Sequence, residues 1–402
     1  MEQWKTYTLE ELTIGKGTYG IGASAVPYDS SKYTYLRITD INDDGTLNKN
    51  ELKSVDDVDA DKYVLQVNDI VFARTGNSTG RSYFYDGSDG VLVYAGFLIK
   101  FSLDPAKVNP RIMKYYTHSQ EYYDWVKSFD TGGTRGNINA KTYGSMPITL
   151  PPRDVQDKIV EVLKSLDEKI ELNKRINDNL EQQAQTLYKS WFVDFEPFKD
   201  GAFKESEFGL IPEGWRVGSL SDLTEITMGQ SPSGKSYNET GDGMLFYQGR
   251  AEFGDRYPSI RLYTTEPSRI AEQNSVLLSV RAPVGDTNIA YNKCCIGRGL
   301  ASITAKHGFN SFIFYMIKSL KDQFDLYNGE GTVFGSINRD SLNSMKVIVP
   351  TNEVINDFEK IVAPLDFKYK SIFSENLLLT QQRDTLLPKL MSGELKINEI
   401  DC

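Results

Sequence analysis

Few residues in this chain are of a type and spacing to do chemistry, and the strongest pattern is Gly229-Gln230-Ser231-Pro232-Ser233-Gly234-Lys235-Ser236. It spells G-x-x-x-x-G-K-[ST], the loop whose backbone N–H groups cradle nucleotide phosphates. That chemistry requires a strand entering the loop and a helix N-terminus leaving it. Here "YNETGDGMLFYQG" follows, too crowded with Gly, Asn and Asp for a helix to start. No strand ending in a magnesium-binding Asp serves the loop either; Asp69, after "VLQV", lies in the other half of the chain. A P-loop nucleotide-binding protein is therefore the weaker alternative. Glu394-Leu395-Lys396 spells the E-x-K of a nuclease centre, without a Pro-Asp before it. The only Pro-Pro, in "TLPPRD", lacks the Asn/Asp and aromatic flanks of a base-gripping methyltransferase loop. Two histidines, His118 and His307, are too few for most zinc sites and weigh against a histidine base. The chain is expected to carry no catalytic centre, no metal and no cofactor of its own.

Positioning elements must come from a chain of 402 residues, which is long enough for two or more domains. With 40% hydrophobic and 25% charged residues the composition is that of a globular protein. No apolar run approaches the ~20 residues that span a bilayer. The start, "MEQWKTYTLEEL", lacks the order of a signal peptide, and Cys294, Cys295 and Cys402 cannot make a disulfide framework. The expected location is the cytoplasm. A net charge of −10 argues against a surface coated for indiscriminate nucleic-acid binding, though not against local basic patches.

Self-comparison reveals a duplication. Ile138-Asn139, Ser145-Met146 and Pro151 recur as Ile337-Asn338, Ser344-Met345 and Pro350, each 199 positions on. The same offset carries Tyr116 to Tyr315, Leu166-Asp167 to Leu365-Asp366 and Asn177 to Asn376. Trp4, Leu9 and Leu12 fall on Trp215, Leu220 and Leu223 at an offset of 211, so the front segments differ in length. Divergent fronts and similar backs follow.

Each back segment is a long helix with 4-3-4-3 apolar spacing. The first seam includes Leu163, Leu166, Ile170, Asn177, Leu180 and Leu187. The second includes Val362, Leu365, Tyr369, Asn376, Leu379 and Leu386. This is the heptad stripe of a coiled coil, with matched asparagines able to fix register. From Ile159 to Trp191 the rise is about 50 Å at ~1.5 Å per residue. The two helices are expected to pair, antiparallel, about a pseudo-two-fold axis. Pro388 is expected to end the second helix, and Pro364 to bend or delay its first turns. The front segments combine strand-like runs such as "DIVFA", "VLVYAGFLIKF" and "NSVLLSV" with Gly and Asn turns, and each closes in an aromatic helical stretch.

The stretches "LPPRDVQDKIVEVLKSLDEKIELNKRINDNLEQQAQTLYKSWFVDF", "IPEGW" and "LLPKLMSGEL", in that order, resemble the specificity subunit of type I restriction–modification enzymes. The resemblance covers nearly the whole chain. It implies an α+β protein: two similar mixed α/β target-recognition domains separated by two long helices forming an antiparallel coiled coil, a pseudo-two-fold internal repeat. Residues 1–150 and 211–350 would be the recognition domains, 151–195 the first spacer helix, 196–210 a connector, and 351–402 the second spacer helix and tail. The implied partners are double-stranded DNA, two modification (methyltransferase) subunits and the motor–nuclease restriction subunits, without a membrane. S-adenosylmethionine, ATP and Mg are expected on those partners. Each domain would read half of a bipartite site, with the helices as a ruler. A non-catalytic coiled-coil scaffold is the alternative; it leaves two diverged domains without a purpose.

Base edges favour Arg on guanine and Asn or Gln on adenine, while Arg, Lys and backbone N–H groups take phosphates. On that chemistry the candidate DNA contacts are Arg74 and Arg81 in "FARTGNSTGRS" and Arg135 in "GGTRGNIN". In the second domain they are Gln248, Arg250 and Arg256 in "YQGRAEFGDR" and Arg281 in "SVRAPVGDTN". Asn139 and Asn338 match between copies and are assigned structural roles, because a base-reading residue should differ when half-sites differ. The aromatic share of 12% is assigned to cores.

Overall fold

Short apolar runs bounded by Gly and Asn build short strands, and both copies stack them in the same order. A computed structural model describes residues 4–129, 136–328 and 335–395. The chain divides into two units, Met1–Leu172 with Glu375–Cys402, and Asn173–Ser374.

In the first unit one antiparallel sheet runs Thr18–Tyr19, Leu98–Ser102, Asp69–Ala73, Ser82–Tyr85. A second runs Ala25–Pro27, Lys53–Val55, Tyr33–Leu36, Leu92–Tyr94, the last pair being parallel. Lys5–Thr8 pairs with Pro147–Leu150, Lys5 opposite Leu150. The second unit repeats the scheme. Its first sheet is Thr224–Met228, Leu300–Ala305, Val276–Ser279, Thr287–Ile289. Its second is Tyr237–Asn238, Leu262–Thr264, Met244–Tyr247, Cys294–Ile296, Ile270–Ala271, again with one parallel pair, Met244–Tyr247 against Cys294–Ile296. Arg216–Ser219 pairs with Lys346–Val349.

The central strand of each unit shows why the order repeats. All five residues of Asp69–Ala73 are buried, as a strand covered on both faces must be. Ile70 and Phe72 enter a core shared with the long helices, and Val71 and Ala73 enter a second core on the opposite face. Val276 and Leu278 likewise face the helices while Leu277 faces the other core.

The long helices are Arg153–Phe192 and Asn352–Ser392, and each contributes one half to each unit. The seam positions are all buried or half-buried. Pairing is antiparallel within each unit. In the first, Asp167 meets Arg383 at 3.2 Å, Lys169 meets Glu375 at 3.4 Å, and the Asn376 side chain donates to the Ile170 carbonyl at 3.3 Å. Numbers rise on one helix as they fall on the other. In the second, the end of the first helix packs on the start of the second, Phe192 against Phe358 at 5.0 Å between ring centres.

Pro388 does not end the second helix, and Pro364 does not delay its start. The second helix runs unbroken through Pro364 and past Pro388 to Ser392. An interior proline costs one hydrogen bond and a steric clash, about 3 kcal/mol. Packing outweighs that cost: Val362 and Tyr369 are buried around Pro364, and Leu387, Leu390 and Met391 around Pro388. Burying each such side chain contributes about 1.5–3 kcal/mol. The helix stops instead at Gly393, whose φ of +73° suits glycine and whose N–H donates to the Leu390 carbonyl at 3.3 Å.

The segment between the copies folds as an antiparallel hairpin, Phe203–Ser206 with Gly209–Pro212. It leads into Trp215, which is buried among Phe192, Phe195 and Phe198 with ring centres 5.1–5.7 Å away. "IPEGW" is thus a hydrophobic anchor within the second unit. No helix among the described residues is long and apolar enough to cross a membrane.

Candidate nucleic-acid interface

One backbone frame recurs at the loop end of each domain. In the second unit the Gly297 N–H donates to the Tyr247 carbonyl at 2.8 Å, Gln230 to Ile296 at 3.0 Å, Gly229 to Leu300 at 2.9 Å and Val280 to Gly299 at 2.9 Å. In the first unit Ala95 donates to Leu36 at 3.0 Å, Ile21 to Tyr94 at 3.0 Å, Gly20 to Leu98 at 3.2 Å and Arg74 to Phe97 at 3.1 Å. The carbonyls of Arg74 and Val280 then accept from Ile138 and Ile337, the isoleucines matched at the 199 offset. These bonds equate the two domains residue by residue. Arg37 corresponds to Gln248, Ile21 to Gln230, Gly96 to Arg298, Phe97 to Gly299 and Thr75 to Arg281.

Some of the residues that hold the frame are common to both copies. A Cβ on Gly20 would sit 2.3 Å from the Ala95 carbonyl oxygen, and one on Gly229 2.1 Å from that of Gly297, so only glycine fits either place. Asn139 and Asn338 are N-caps: their side-chain oxygens accept from the Thr142 and Ser341 N–H groups at 2.9 and 2.8 Å. Their structural assignment agrees with the geometry.

The candidate DNA contacts fall into different places. Gln248 and Arg281 are exposed at the frame, and neither has an ion pair among the described residues. Arg74 is half-buried, its guanidinium 5.1 Å from the Tyr19 ring centre and 6.0 Å from that of Phe97. Its Nε is buried without a hydrogen-bond partner among the described residues. Tyr19 and Phe97 are 42% and 56% exposed, so the first domain presents an aromatic face where the second presents polar side chains. Arg81 is held by Asp43 at 2.6 Å and the Ile41 carbonyl at 3.1 Å. Arg250 is paired with Asp286. Arg135, like Lys396 of the E-x-K pattern, lies outside the described residues.

Arg256 has to be withdrawn from the set. It is 3% exposed, and its guanidinium donates to Glu181 at 2.9 Å and Asp366 at 2.6 Å, one carboxylate from each long helix. Burial opposes its charge, but Asp366 and Glu181 outweigh that and hold its pKa above the ordinary arginine value. Phe314 and Tyr369 lie 4.7 and 4.6 Å from the guanidinium. This arginine fastens its domain to the helices. Asp167, matched to Asp366 by the duplication, does the same in the first unit: it accepts from Lys114 at 2.8 Å, Tyr115 at 3.1 Å and Arg383. Burial pushes its carboxyl up, and Lys114 with Arg383 more than reverses that, leaving it below the usual range.

Sequence reasoning missed Arg269, Arg298 and Gln230, all exposed at the second frame. The Ile296 N–H donates to the Arg269 carbonyl at 2.9 Å, and the Arg298 N–H faces the Ser231 hydroxyl at 3.4 Å. The available signal was "GRG", an arginine between glycines in a loop.

The nucleotide-loop pattern is excluded by geometry. Gly234–Ser236 is a single 3-10 turn that leads into the strand Tyr237–Asn238, and the buried Ser236 hydroxyl is bonded with that of Thr264 at 2.7 Å. No helix N-terminus is available to a phosphate there.

Residues 1–182 and 212–366 match the family described as the type I restriction modification DNA specificity domain. The chain belongs to this family. The specificity subunit of the type I enzyme HindI, from Haemophilus influenzae, is 25% identical over 480 residues, covering 98% of this chain and 100% of that one. A chain named as the specificity subunit of the type I enzyme MjaX, from Methanocaldococcus jannaschii, is 32% identical over 380 residues, 92% of this chain and 88% of its own. The fold is similar to that of the crystal structure of a type I system S subunit from M. genitalium, with a TM-score of 0.59, 16% identity and 96% of each chain covered. This specificity subunit therefore carries two DNA-specificity domains, each with one copy of the hydrogen-bonded frame.

Proposed function

We propose that each domain of this specificity subunit reads one half of a bipartite DNA site, and that the paired helices set the unread gap between the halves. The observation that carries this reading is the shared frame with unlike side chains: Arg37, Gly96 and Thr75 in one copy stand where Gln248, Arg298 and Arg281 stand in the other. A scaffold has no need to vary loop tips on an invariant backbone; a pair of readers with different targets does. Arginine and glutamine at exposed loop ends suit major-groove edges and phosphates.

The chain itself does no chemistry under this proposal. The helices dock two methyltransferase subunits, and the assembly recruits the motor–nuclease subunits, with S-adenosylmethionine, ATP and Mg on those partners in the cytoplasm. Seven residues removed from each long helix keep the heptad seam and shorten it by about 10 Å at ~1.5 Å per residue. The site selected by the assembled methyltransferase should then keep both half-sites and lose about three base pairs of gap, given the ~34 Å helical turn of ten pairs. An unchanged gap refutes the ruler. A wild-type assembly that selects no sequence refutes recognition and favours the scaffold.

A further inference from the structure

Resting on that recognition role, we infer that the second domain reads a half-site containing guanine and adenine, with Arg298 on the guanine and Gln248 on the adenine. Four chain segments converge on Ile296–Gly299: the Gln230, Tyr247, Arg269 and Gly299 hydrogen bonds bring the loops of Gln230, Gln248, Arg269 and Arg281 against this one turn. Because Gly297 donates to Tyr247, Arg298 and Gln248 each follow a residue of that bonded pair, on adjacent loops.

The arginines of this domain divide into two classes. Arg216, Arg250 and Arg261 face Asp222, Asp286 and Glu252, and Arg256 is buried between two carboxylates. Arg269, Arg281, Arg298 and Arg339 are exposed and have no ion pair among the described residues, Arg339 standing on the short helix Arg339–Asn343. An arginine fixed by a carboxylate has its donor fork occupied; the unpaired ones keep it for a ligand, and Arg269, Arg281 and Arg298 stand together at this turn. Their convergence in a chain of net charge −10 makes this loop end a local attractor for a polyanion.

Position separates base reading from phosphate binding among the three. Arg298 is flanked by Gly297 and Gly299, so no neighbouring side chain obstructs the approach of this turn to a groove. Guanine offers the N7 and O6 acceptors that an arginine fork matches, and adenine offers an acceptor and a donor that match a glutamine amide. Arg281 follows a strand and its backbone is bridged to Ser336, while Arg269 precedes Ile270–Ala271. These two flank the turn and supply phosphate contacts. In the first domain the same frame positions hold Gly96 and an Arg37 whose fork is closed on Asp40 at 2.8 and 2.6 Å, so that domain lacks this pair of readers.

The test uses the full chain assembled with its methyltransferase subunit, scored by sequencing the positions modified in a randomised duplex library. Arg298→Lys keeps the charge and removes the two-pronged match. It should lower discrimination at one G·C pair of the second half-site about ten- to hundredfold, through weaker binding of the cognate site, leaving affinity for random duplex and selection of the first half-site unchanged. Gln248→Ala should relax an A·T pair in that half-site alone. Both side chains are exposed, so urea midpoints should match wild type; Arg298→Gly, the residue the first copy carries at this position, is the second variant should Lys disturb the fold. Wild-type preference retained by Arg298→Lys and Arg298→Gly, or a second half-site without guanine, overturns the assignment while bipartite recognition stands. Loss of all sequence selection by the wild type would instead remove the recognition role beneath it.

Discussion

Arg256→Ala removes the cation that ties both long helices to the second domain. Deleting one member of a buried ion pair costs about 3–5 kcal/mol, because the partner stays buried without its charge. Here two carboxylates are left behind. Glu181 retains Lys318 at 2.6 Å, and both carboxylate side chains are 18% exposed, which places the electrostatic loss near the low end. Loss of the guanidinium from the faces of Phe314 and Tyr369 adds about 1 kcal/mol, for a total of about 4 kcal/mol. Urea unfolding of a Trp4→Phe, Trp125→Phe background leaves Trp191 and Trp215 as reporters within the second unit, and its midpoint should fall accordingly. Adding Glu181→Gln and Asp366→Asn should recover most of the loss. A deficit under 1 kcal/mol, or weakened DNA binding at unchanged stability, would show that Arg256 faces the duplex and that the buried bolt is wrong.

Burial raises the Glu359 carboxyl to about 7 from 4.5, although it accepts the Phe312 N–H at 2.8 Å. The folded chain then holds a proton that the unfolded chain releases, so stability falls as pH rises through that interval. Glu359→Gln keeps the acceptor and should raise stability at pH 8 by about 1–2 kcal/mol, after allowing for partial exposure, with no gain at pH 4; equal urea midpoints at pH 8 contradict it. Asn139→Ala and Asn338→Ala should each cost about 1 kcal/mol in thermal unfolding and leave the methylated sequence untouched. A changed sequence would make the caps base readers.

Local periodicity made the framework legible. The 4-3-4-3 stripe located both helices, and the 199 offset tied Asn139 to Asn338 and Asp167 to Asp366, pairs that the structure explains as matched caps and matched anchors. What stayed hidden depends on contacts between distant segments. Arg256 sits in a Gly- and Asp-rich stretch that looks like surface, but its partners are 75 and 110 residues away. Glu181 and Asp366 stand beside the seam leucines 180 and 365, where a charged residue ordinarily faces water. Proline as a helix stop failed for the same reason: the packing of Leu387, Leu390 and Met391 is tertiary and leaves no local trace. One arginine between glycines gives no local signal of a role; Arg298 is distinguished by the frame bonds that gather distant segments around its turn.

The acidic balance of the chain and its work on DNA are reconciled by where the acids lie. Asp222, Asp286, Glu252 and Asp366 stand against Arg216, Arg250, Arg261 and Arg256, and Asp40 and Asp43 against Arg37 and Arg81. Each such pair contributes little to stability where exposed, about 0–1 kcal/mol. Its larger effect is to cancel cations that would otherwise hold any duplex, because affinity for phosphates grows with every lysine or arginine left free. Around the second frame, Arg269, Arg281 and Arg298 are left without an ion pair among the described residues. Removing a masking carboxylate should therefore degrade selectivity rather than fold: Asp286→Asn frees Arg250, two residues from Gln248 on the same loop, and should tighten binding to random duplex severalfold in a salt-sensitive manner. Filter binding at two salt concentrations measures this, and equal random-duplex affinity for variant and wild type would mean that the acids do not serve as masks.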